Sequence, residues 1–284
     1  MLNSELPKST ENIDTKVVTD FGREWNTFGQ EKLVGNELQE AADEYFRIFP
    51  FYLIDQRSIG FDMGCGSGRW ARAIAPRVGL LRCIEPSKLA LEQAKQNLAH
   101  LSNCVFTCES VSSNSMQDNS QDFGYCLGVL HHVPDTLSGL QSCTAKLKSG
   151  APFLLYLYYR FDNKPVWFRL IWRASDVGRQ IISKLPFVVK LPISQLIAIC
   201  IYYPLAKLSL LVEKTGFKVA NLPLSYYRNK SFYTMRTDAL DRFGTKLEHR
   251  YTKTEIHQMM AQAGLNHIQF NDRPPFWVAV GIKA

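Results

Sequence analysis

The 284-residue sequence has no closely spaced cysteine motif, no leader-like beginning and no long apolar run. Its seven cysteines form no Cys-x-x-Cys, and Cys104 and Cys108 are the only close pair, so no metal site is expected. The first thirty residues lack a basic segment followed by an apolar one, which argues against a secretory signal. The longest apolar candidate, 196–203, ends before Pro204 and is too short to span a bilayer. These absences predict a cytoplasmic protein with reduced thiols and no transmembrane helix.

Low-complexity sequence is also missing. Glycine and proline, at 17 and 13 residues, are too few for a collagen-like or disordered chain. Hydrophobic residues make up 46% and charged residues 21%, which is typical of a globular protein. A chain of this length can bury a sizeable core without disulfides or structural metals.

Positive charge is concentrated in one segment. The whole chain carries a net charge of +7, whereas residues 160–230 contain 12 Lys or Arg and three Asp or Glu, a net +9. The remaining sequence therefore sums to −2. A localised basic surface indicates an anionic partner more strongly than diffuse charge does.

Strand and helix patterns alternate up to residue 159. Apolar strands are predicted at 58–63, 80–85, 104–108, 123–127 and 153–159, with helical periodicity between them. This alternation predicts an α/β fold with a doubly wound, mostly parallel sheet. After a helix that begins at the capping box Thr252–Glu255, two final strands are predicted to form an antiparallel C-terminal hairpin.

The alternation is interrupted after strand five by an aromatic, basic segment punctuated by proline, which predicts a helical cap insertion. We therefore divide the chain into a lead segment (1–35), a core (36–159 and 240–284) and a cap (160–239). In the cap, Val166, Leu170, Val177 and Ile181 share one helical face, predicted to close over a pocket. Another face, with Arg169, Arg173, and Arg179 or Lys184, is predicted to be exposed.

The strongest motif is Gly64-Cys-Gly-Ser-Gly68, directly after the first strand and at the start of a helix. Glycine permits a tight turn there and lets backbone amides approach a ligand. Asp62 precedes the motif, and Glu85 ends the second strand, where an acid can hold both ribose hydroxyls. Arg69 occupies a position at which dinucleotide-binding folds have glycine, which disfavours a nicotinamide-dependent enzyme.

Together with Glu85-Pro86-Ser87, Gly128-Val-Leu-His-His-Val-Pro-Asp135 and Leu147-Lys-Ser-Gly150, this motif resembles class I S-adenosylmethionine-dependent methyltransferases. The resemblance covers 45–159 and 252–284, and implies a Rossmann-like fold, methyltransferase activity and S-adenosylmethionine as cofactor. The implied cofactor-binding residues are Asp62, Gly64, Cys65, Gly66, Gly68, Glu85, Pro86, Glu109, Ser110, Leu127 and Gly128.

Individual roles follow from the same resemblance. Asp62 would bind the methionine ammonium, Glu85 the ribose diol, and Glu109 the adenine, with Met116 packing near the ring. The segment Phe21-Gly-Arg-Glu-Trp-Asn-Thr-Phe28 would form a lid over the cofactor; packing under the sheet is the alternative.

Three histidines are candidate catalytic bases for a hydroxyl acceptor. His131 and His132 follow strand four at the carboxyl edge of the sheet, and His249 precedes the last helix. Orienting a loop or packing in the core are the alternatives for each. No Asp-Pro-Pro-Tyr, Asn-Pro-Pro-Tyr or Pro-Cys follows strand four, which disfavours methylation of nucleic-acid bases at exocyclic amines or cytosine C5.

The sequence thus predicts methyl transfer to a small molecule at a hydroxyl oxygen, the acceptor being lipid-like or anionic. The cap either packs on the core, rests peripherally on an anionic membrane through 160–230, or binds an anionic substrate. Nucleic acid is not an expected partner, since no aromatic stacking motif accompanies the basic segment. An RNA methyltransferase and a non-catalytic cofactor-binding protein that docks at a membrane or partner are the alternatives. The oligomeric state is left open.

Overall fold

The computed structural model describes residues 12–29 and 36–284. Expectations for 1–11 and 30–35, which belong to the predicted lead segment, lie outside the described residues. The described residues form one seven-stranded sheet in the order β3-β2-β1-β4-β5-β7-β6. The strands are β1 (Ile59–Met63), β2 (Leu80–Ile84), β3 (Cys104–Thr107), β4 (Phe123–Leu127), β5 (Pro152–Tyr156), β6 (Leu265–Phe270) and β7 (Ala279–Lys283).

The first five strands are parallel, whereas β7 runs antiparallel to both β5 and β6. The predicted doubly wound α/β sheet with an antiparallel C-terminal hairpin is therefore confirmed. Its crossover at β1 and β4 places the carboxyl ends of neighbouring strands beside each other, where ligands bind in such sheets.

Glycine and phenylalanine alternate across the centre of the sheet. Gly60 pairs with Phe123, and Phe61 pairs with Gly124. A Cβ added at Gly60 would lie 2.2 Å from the Phe123 ring, and one at Gly124 would lie 2.3 Å from the Phe61 ring. Each ring therefore occupies the space that its neighbour's missing side chain leaves, and both rings are fully buried.

Helices cover both faces of the sheet. They are α1 (Thr15–Thr27), α2 (Glu37–Tyr45), α3 (Ala71–Ile74), α4 (Lys88–Asn97), α5 (Thr136–Ala145), α6 (Val166–Ile182), α7 (Phe187–Ile197), α8 (Tyr203–Lys214), α9 (Phe232–Gly244) and α10 (Lys253–Gln262). Side-chain caps begin several of them, and the capping box predicted at Thr252 and Glu255 is present at α10. The predicted cap boundary at residue 239 falls inside α9.

The cap contains one long helical run. A π-helical turn, Ala198–Tyr202, joins α7 to α8, so that Phe187–Lys214 is a continuous helix of 28 residues. By length and composition it is apolar enough to cross a membrane, with a mean hydropathy of 1.7. The expectation that no such helix exists was wrong because Pro204 does not end the run. It lies just after the π-helical turn, whose i→i+5 spacing accommodates the proline ring without ending the helix.

The orientation of α6 also differs from the prediction. Val166, Leu170, Val177 and Ile181 are 57–62% exposed, so the expectation that they close over a pocket was wrong. The larger rings on the other face of α6, those of Phe168 and Trp172, point inward instead and line a cavity, because they bury more apolar surface.

The predicted basic face of α6 is exposed at Arg169, Arg173 and Lys184. Arg179 differs. It is 7% exposed, and its Nε lies 2.6 Å from Asp176, while its Nη1 donates to the Thr245 carbonyl at 3.1 Å. The cap therefore uses one of its cations to attach α6 to the end of α9.

Candidate cofactor and acceptor site

A cavity of about 1130 Å³ lies over the carboxyl ends of the central strands and extends under the cap. Its lining includes eight of the eleven predicted cofactor residues: Gly64, Cys65, Gly66, Glu85, Pro86, Ser110, Leu127 and Gly128. The structure thus brings together residues that lie up to 64 positions apart in the chain. Asp62, Gly68 and Glu109 do not line it.

The glycine turn forms the floor at one end of this cavity. The amides of Gly64 and Cys65 donate to the Ile84 carbonyl at 2.8 and 3.0 Å, which fixes the turn against β2. Gly64 has φ +76°, and a Cβ there would lie 2.4 Å from Val129. Glycine is therefore required both by the backbone conformation and by the close approach of the following loop.

Glu85 is held by the same turn. Its Oε2 accepts from the Gly66 amide at 3.0 Å, and its Oε1 accepts from the Ser87 amide at 2.9 Å. Burial raises the pKa of this carboxyl to about 7, although the two amides act against the shift. Each oxygen keeps a lone pair, and the residue lines the cavity, so it can accept hydrogen bonds from a ribose diol.

Asp62 lies behind the turn, in β1. It is 1% exposed, and burial raises its pKa well above the usual value. Its Oδ2 has no hydrogen-bond partner among the described residues. A buried carboxylate oxygen without a partner is costly, and since Asp62 does not line the cavity, it would reach the methionine ammonium of S-adenosylmethionine through water.

Two predicted cofactor residues have other contacts. Glu109 accepts hydrogen bonds from the Ser115 amide and hydroxyl at 3.0 and 3.1 Å, because the serine-rich loop folds back onto it. The structure therefore does not bring Glu109 to the cavity, and Met116 packs in the core instead. Gly68 supports packing, since a Cβ there would lie 2.7 Å from Leu98 on the far side of the turn.

Of the three candidate bases, His132 lines the cavity. Its Nδ1 lies 2.7 Å from the Leu247 carbonyl, which can only accept, so the proton resides on Nδ1. Its Nε2 then carries a free lone pair and has no partner within the described residues. Burial lowers the pKa of His132 to about 4, so this nitrogen stays unprotonated at neutral pH.

The other two histidines do not reach the cavity. His131 is fully buried and stacks on the Tyr158 ring, with its Nδ1 accepting from the Tyr158 amide at 3.3 Å. His249 donates its backbone N–H to the His131 carbonyl at 2.9 Å, and its neighbour Arg250 lines the cavity in its place.

Two acids on α9, Asp238 and Asp241, also line the cavity. Tyr227 donates to Asp238 at 2.9 Å, and the Tyr158 hydroxyl donates to Asp241. Burial raises the pKa of each carboxyl to about 6. Their spacing of three residues on one helix places the two acids on the same face.

The first helix contributes the wall above the glycine turn. Phe21, Glu24 and Trp25 line the cavity, and the Trp25 Nε1 lies 3.1 Å from where a Cβ on Gly66 would be. The Phe21 ring is centred 4.9 Å from that of His132. This placement over the turn favours the lid interpretation of α1 over packing under the sheet.

Comparison with known proteins agrees with this geometry. Residues 61–155, which run from β1 to β5, match a family model described as a methyltransferase domain. This region is therefore similar to methyltransferase domains. The methyltransferase domain implies S-adenosylmethionine as the methyl donor, and the turn, Glu85 and Asp62 described above fit that molecule.

Two curated relatives of the chain have the same protein name. The chain is similar to the ubiquinone biosynthesis O-methyltransferase of Vibrio vulnificus, with 26% identity over 147 residues, covering 50% of this chain and 61% of that protein. It is also similar to the enzyme of the same name from Cronobacter sakazakii, with 27% identity over 196 residues, covering 63% and 74%. The chain thus spans about three-fifths of the length of the first relative.

Solved structures agree on the fold. This chain is similar to a chain in the solved complex between the Haloferax volcanii Trm112 methyltransferase activator and a methyltransferase. The TM-score is 0.52 at 13% identity, and the match covers 92% of this chain and 96% of that one. At this identity the similarity shows the fold alone.

Proposed function

We propose that this protein transfers a methyl group from S-adenosylmethionine to a hydroxyl oxygen of an apolar small molecule. The observation that carries the proposal is a single cavity lined by the glycine turn, Glu85, His132 and an aromatic wall. The family match of residues 61–155 supports methyl transfer, and the names of the relatives support oxygen as the acceptor atom.

The chain's own groups fit the chemical requirements. When bound, S-adenosylmethionine supplies an electrophilic methyl on a sulfonium sulfur. The protein must then align the acceptor oxygen with that methyl and remove the hydroxyl proton. His132 Nε2 can accept the proton because its Nδ1–H is already bound to Leu247. Asp241 is the second candidate, since its Oδ1 has no partner in the described part of the chain.

The cap wall favours an apolar acceptor over an anionic one. Its aromatic members are Phe161, Phe168, Trp172 and Tyr202, and the core adds Phe243 and Phe276 beside them. Seven Lys or Arg line the cavity, among them Arg242 and Arg250, which both bind Glu248, at 2.8 and 2.6 Å. Because seven Asp or Glu also line it, the cavity has no excess of positive charge, and an anion gains little there.

The test is transfer of labelled methyl from S-adenosylmethionine into a cell extract of the source organism. The purified full chain is incubated with an organic-solvent fraction, an aqueous small-molecule fraction and total RNA, each tested separately. We expect label in the organic fraction with wild type, and none with Glu85→Ala. Label confined to RNA would instead indicate an RNA methyltransferase. Absence of label despite measurable cofactor binding would indicate a non-catalytic binding protein.

A further inference from the structure

The cap presents an unusual amount of apolar side chain to solvent. Along the helix 187–214, one stripe is exposed: Val188, Leu196, Ile199, Tyr203, Leu208 and Leu211. On α6 the exposed apolar stripe comprises Val166, Leu170, Val177 and Ile181. We call these two stripes together the cap face. A contiguous apolar surface of this kind on a soluble domain marks an interaction site.

The opposite side of the long helix is fixed to the protein. Its buried residues recur at helical spacing: Lys190, Ser194, Ala198, Tyr202, Ala206 and Ser209. Lys190 Nζ donates to Asp20 of α1 at 2.7 Å and to the Gly244 carbonyl of α9 at 2.9 Å. Since one side of the helix packs along its length on folded protein, lipid cannot surround it. The helix can lie at a membrane surface, whereas crossing the bilayer would require this packing to be lost.

On α6 and α7 the exposed stripes point away from α9. Helices α6 and α7 each pack on α9 with their buried sides, and the turn 183–186 joins them. The exposed sides therefore point outward from the helix that they share.

Charge identifies the partner of the cap face. Arg169 and Arg173 are exposed within and beside the α6 stripe, Lys184 lies where α6 meets α7, and Lys214 ends α8. Among the described residues, none of these four forms an ion pair. Apolar side chains flanked by free cations are the pattern of a helix that binds at the interface of an anionic bilayer.

We propose that this protein docks peripherally on an anionic lipid bilayer through the cap face and takes its acceptor from that bilayer. The second part rests on the proposed function. It is supported by the cavity, because Ile171, Ile201 and Phe217 line it and are also exposed on the cap. The cavity wall thus reaches the outer surface of the cap, which offers an apolar acceptor an entrance from the bilayer.

The first experiment measures sedimentation of the full chain with vesicles, in the absence of methyl donor and acceptor. Vesicles of phosphatidylcholine are compared with vesicles that also contain phosphatidylglycerol. We expect binding to the mixed vesicles that weakens as salt is raised. Because no catalysis is measured, failure of the proposed methyl transfer would leave this result unaffected.

Variants separate the apolar and the electrostatic contributions. Leu196→Glu should reduce partitioning about tenfold or more, while Tyr52→Glu, at an exposed apolar position on the core, should leave it unchanged. Arg169→Glu with Arg173→Glu should reduce it about thirtyfold, while Arg57→Glu with Arg72→Glu, an equal charge change on the core, should not. Circular dichroism checks that all variants fold.

Three results would overturn the docking proposal. In the first, wild type binds neither vesicle and instead forms a dimer that Leu196→Glu dissociates, so that a second copy covers the cap face. In the second, the protein resists alkaline carbonate extraction from membranes, as a spanning protein does. In the third, both control variants lose binding as strongly as the cap variants.

The acceptor route has a separate test. The organic fraction is presented either incorporated in mixed vesicles or dispersed in detergent. We expect Leu196→Glu to methylate the detergent-dispersed fraction at the wild-type rate and the vesicle-incorporated fraction at least about tenfold more slowly. Equal rates on both presentations would overturn delivery from the bilayer while leaving methyl transfer intact.

Discussion

The Glu85 carboxylate accepts a hydrogen bond from the Gly66 amide at 3.0 Å, which ties the acid at the end of β2 to the turn after β1. The acid is therefore positioned before any ligand arrives. Four predictions follow from this contact and from others in the same cavity.

Replacing Glu85 by Ala should weaken binding of S-adenosylmethionine about ten- to a hundredfold. Hydrogen bonds to a charged acceptor contribute roughly 1.5–3 kcal/mol each, and the ribose diol loses its acceptor. Isothermal titration calorimetry measures the affinity, with Glu92→Ala on the exposed side of α4 as the control. Unchanged affinity in a folded Glu85→Ala protein would contradict the assignment.

Replacing Asp238 by Asn should stabilise the protein at alkaline pH. The pKa of Asp238 is raised to about 6 from 3.8, so the folded chain holds its proton more tightly than the unfolded chain. The free energy of unfolding therefore falls as pH rises through this window, by about 3 kcal/mol at most. Asn keeps an acceptor for Tyr227 without the charge.

Urea unfolding measures this effect. Asp238→Asn should exceed wild type in free energy of unfolding at pH ~8 and match it near pH ~4. The exposed Asp272→Asn serves as the control and should follow wild type at both. A stability difference that is the same at both pH values would show that the charge is not the cause.

Replacing His132 by Gln should lower kcat by about 10²–10⁴-fold while leaving cofactor affinity unchanged. The same change at His249, which lies outside the cavity, should cost less than about tenfold. Because the pKa of His132 is about 4, its contribution should persist from pH 8 down to about 5. A wild-type rate that falls through about pH 6 in a manner abolished by Asp241→Asn would identify Asp241 as the base instead.

Replacing Trp25 by Ala should reduce cofactor affinity about ten- to a hundredfold. The indole lies over Gly66, and its removal exposes the bound ligand to water, with a loss on the order of 1.5–3 kcal/mol of buried apolar contact. Trp167→Ala, which removes an exposed indole on α6, is the control. If Trp25 were only a packing residue, thermal stability would fall without any change in affinity.

The sheet and the glycine turn at the floor of the site could be predicted from the sequence because short-range patterns determine them. A strand, a glycine turn and a helix within a dozen residues define the position of Gly64 and Gly66. The acid at the end of the next strand then lies beside them by the topology of parallel β-α-β units. Glu85 could be identified for that reason.

Residues whose contacts come from distant parts of the chain could not be resolved in this way. His131 and His132 are neighbours with the same local sequence, and the Leu247 carbonyl, 115 positions away, decides which one is oriented as a base. Likewise, the inward face of α6 is determined by Arg250 and Arg242, which lie 5.1 and 5.4 Å from the Trp172 ring. Helical periodicity alone located the two faces of α6 without assigning which one faced the protein.

The distribution of thiols makes the cap accessible to chemical labelling. Two of the seven cysteines are exposed: Cys108, after β3, and Cys200, in the π-helical turn of the long cap helix. Reagents that modify thiols act on exposed sulfur atoms, so a fluorescent maleimide should react at these two positions under native conditions. With Cys108→Ser, the dye would report from Cys200 alone, at the centre of the cap helix, without the introduction of any foreign cysteine.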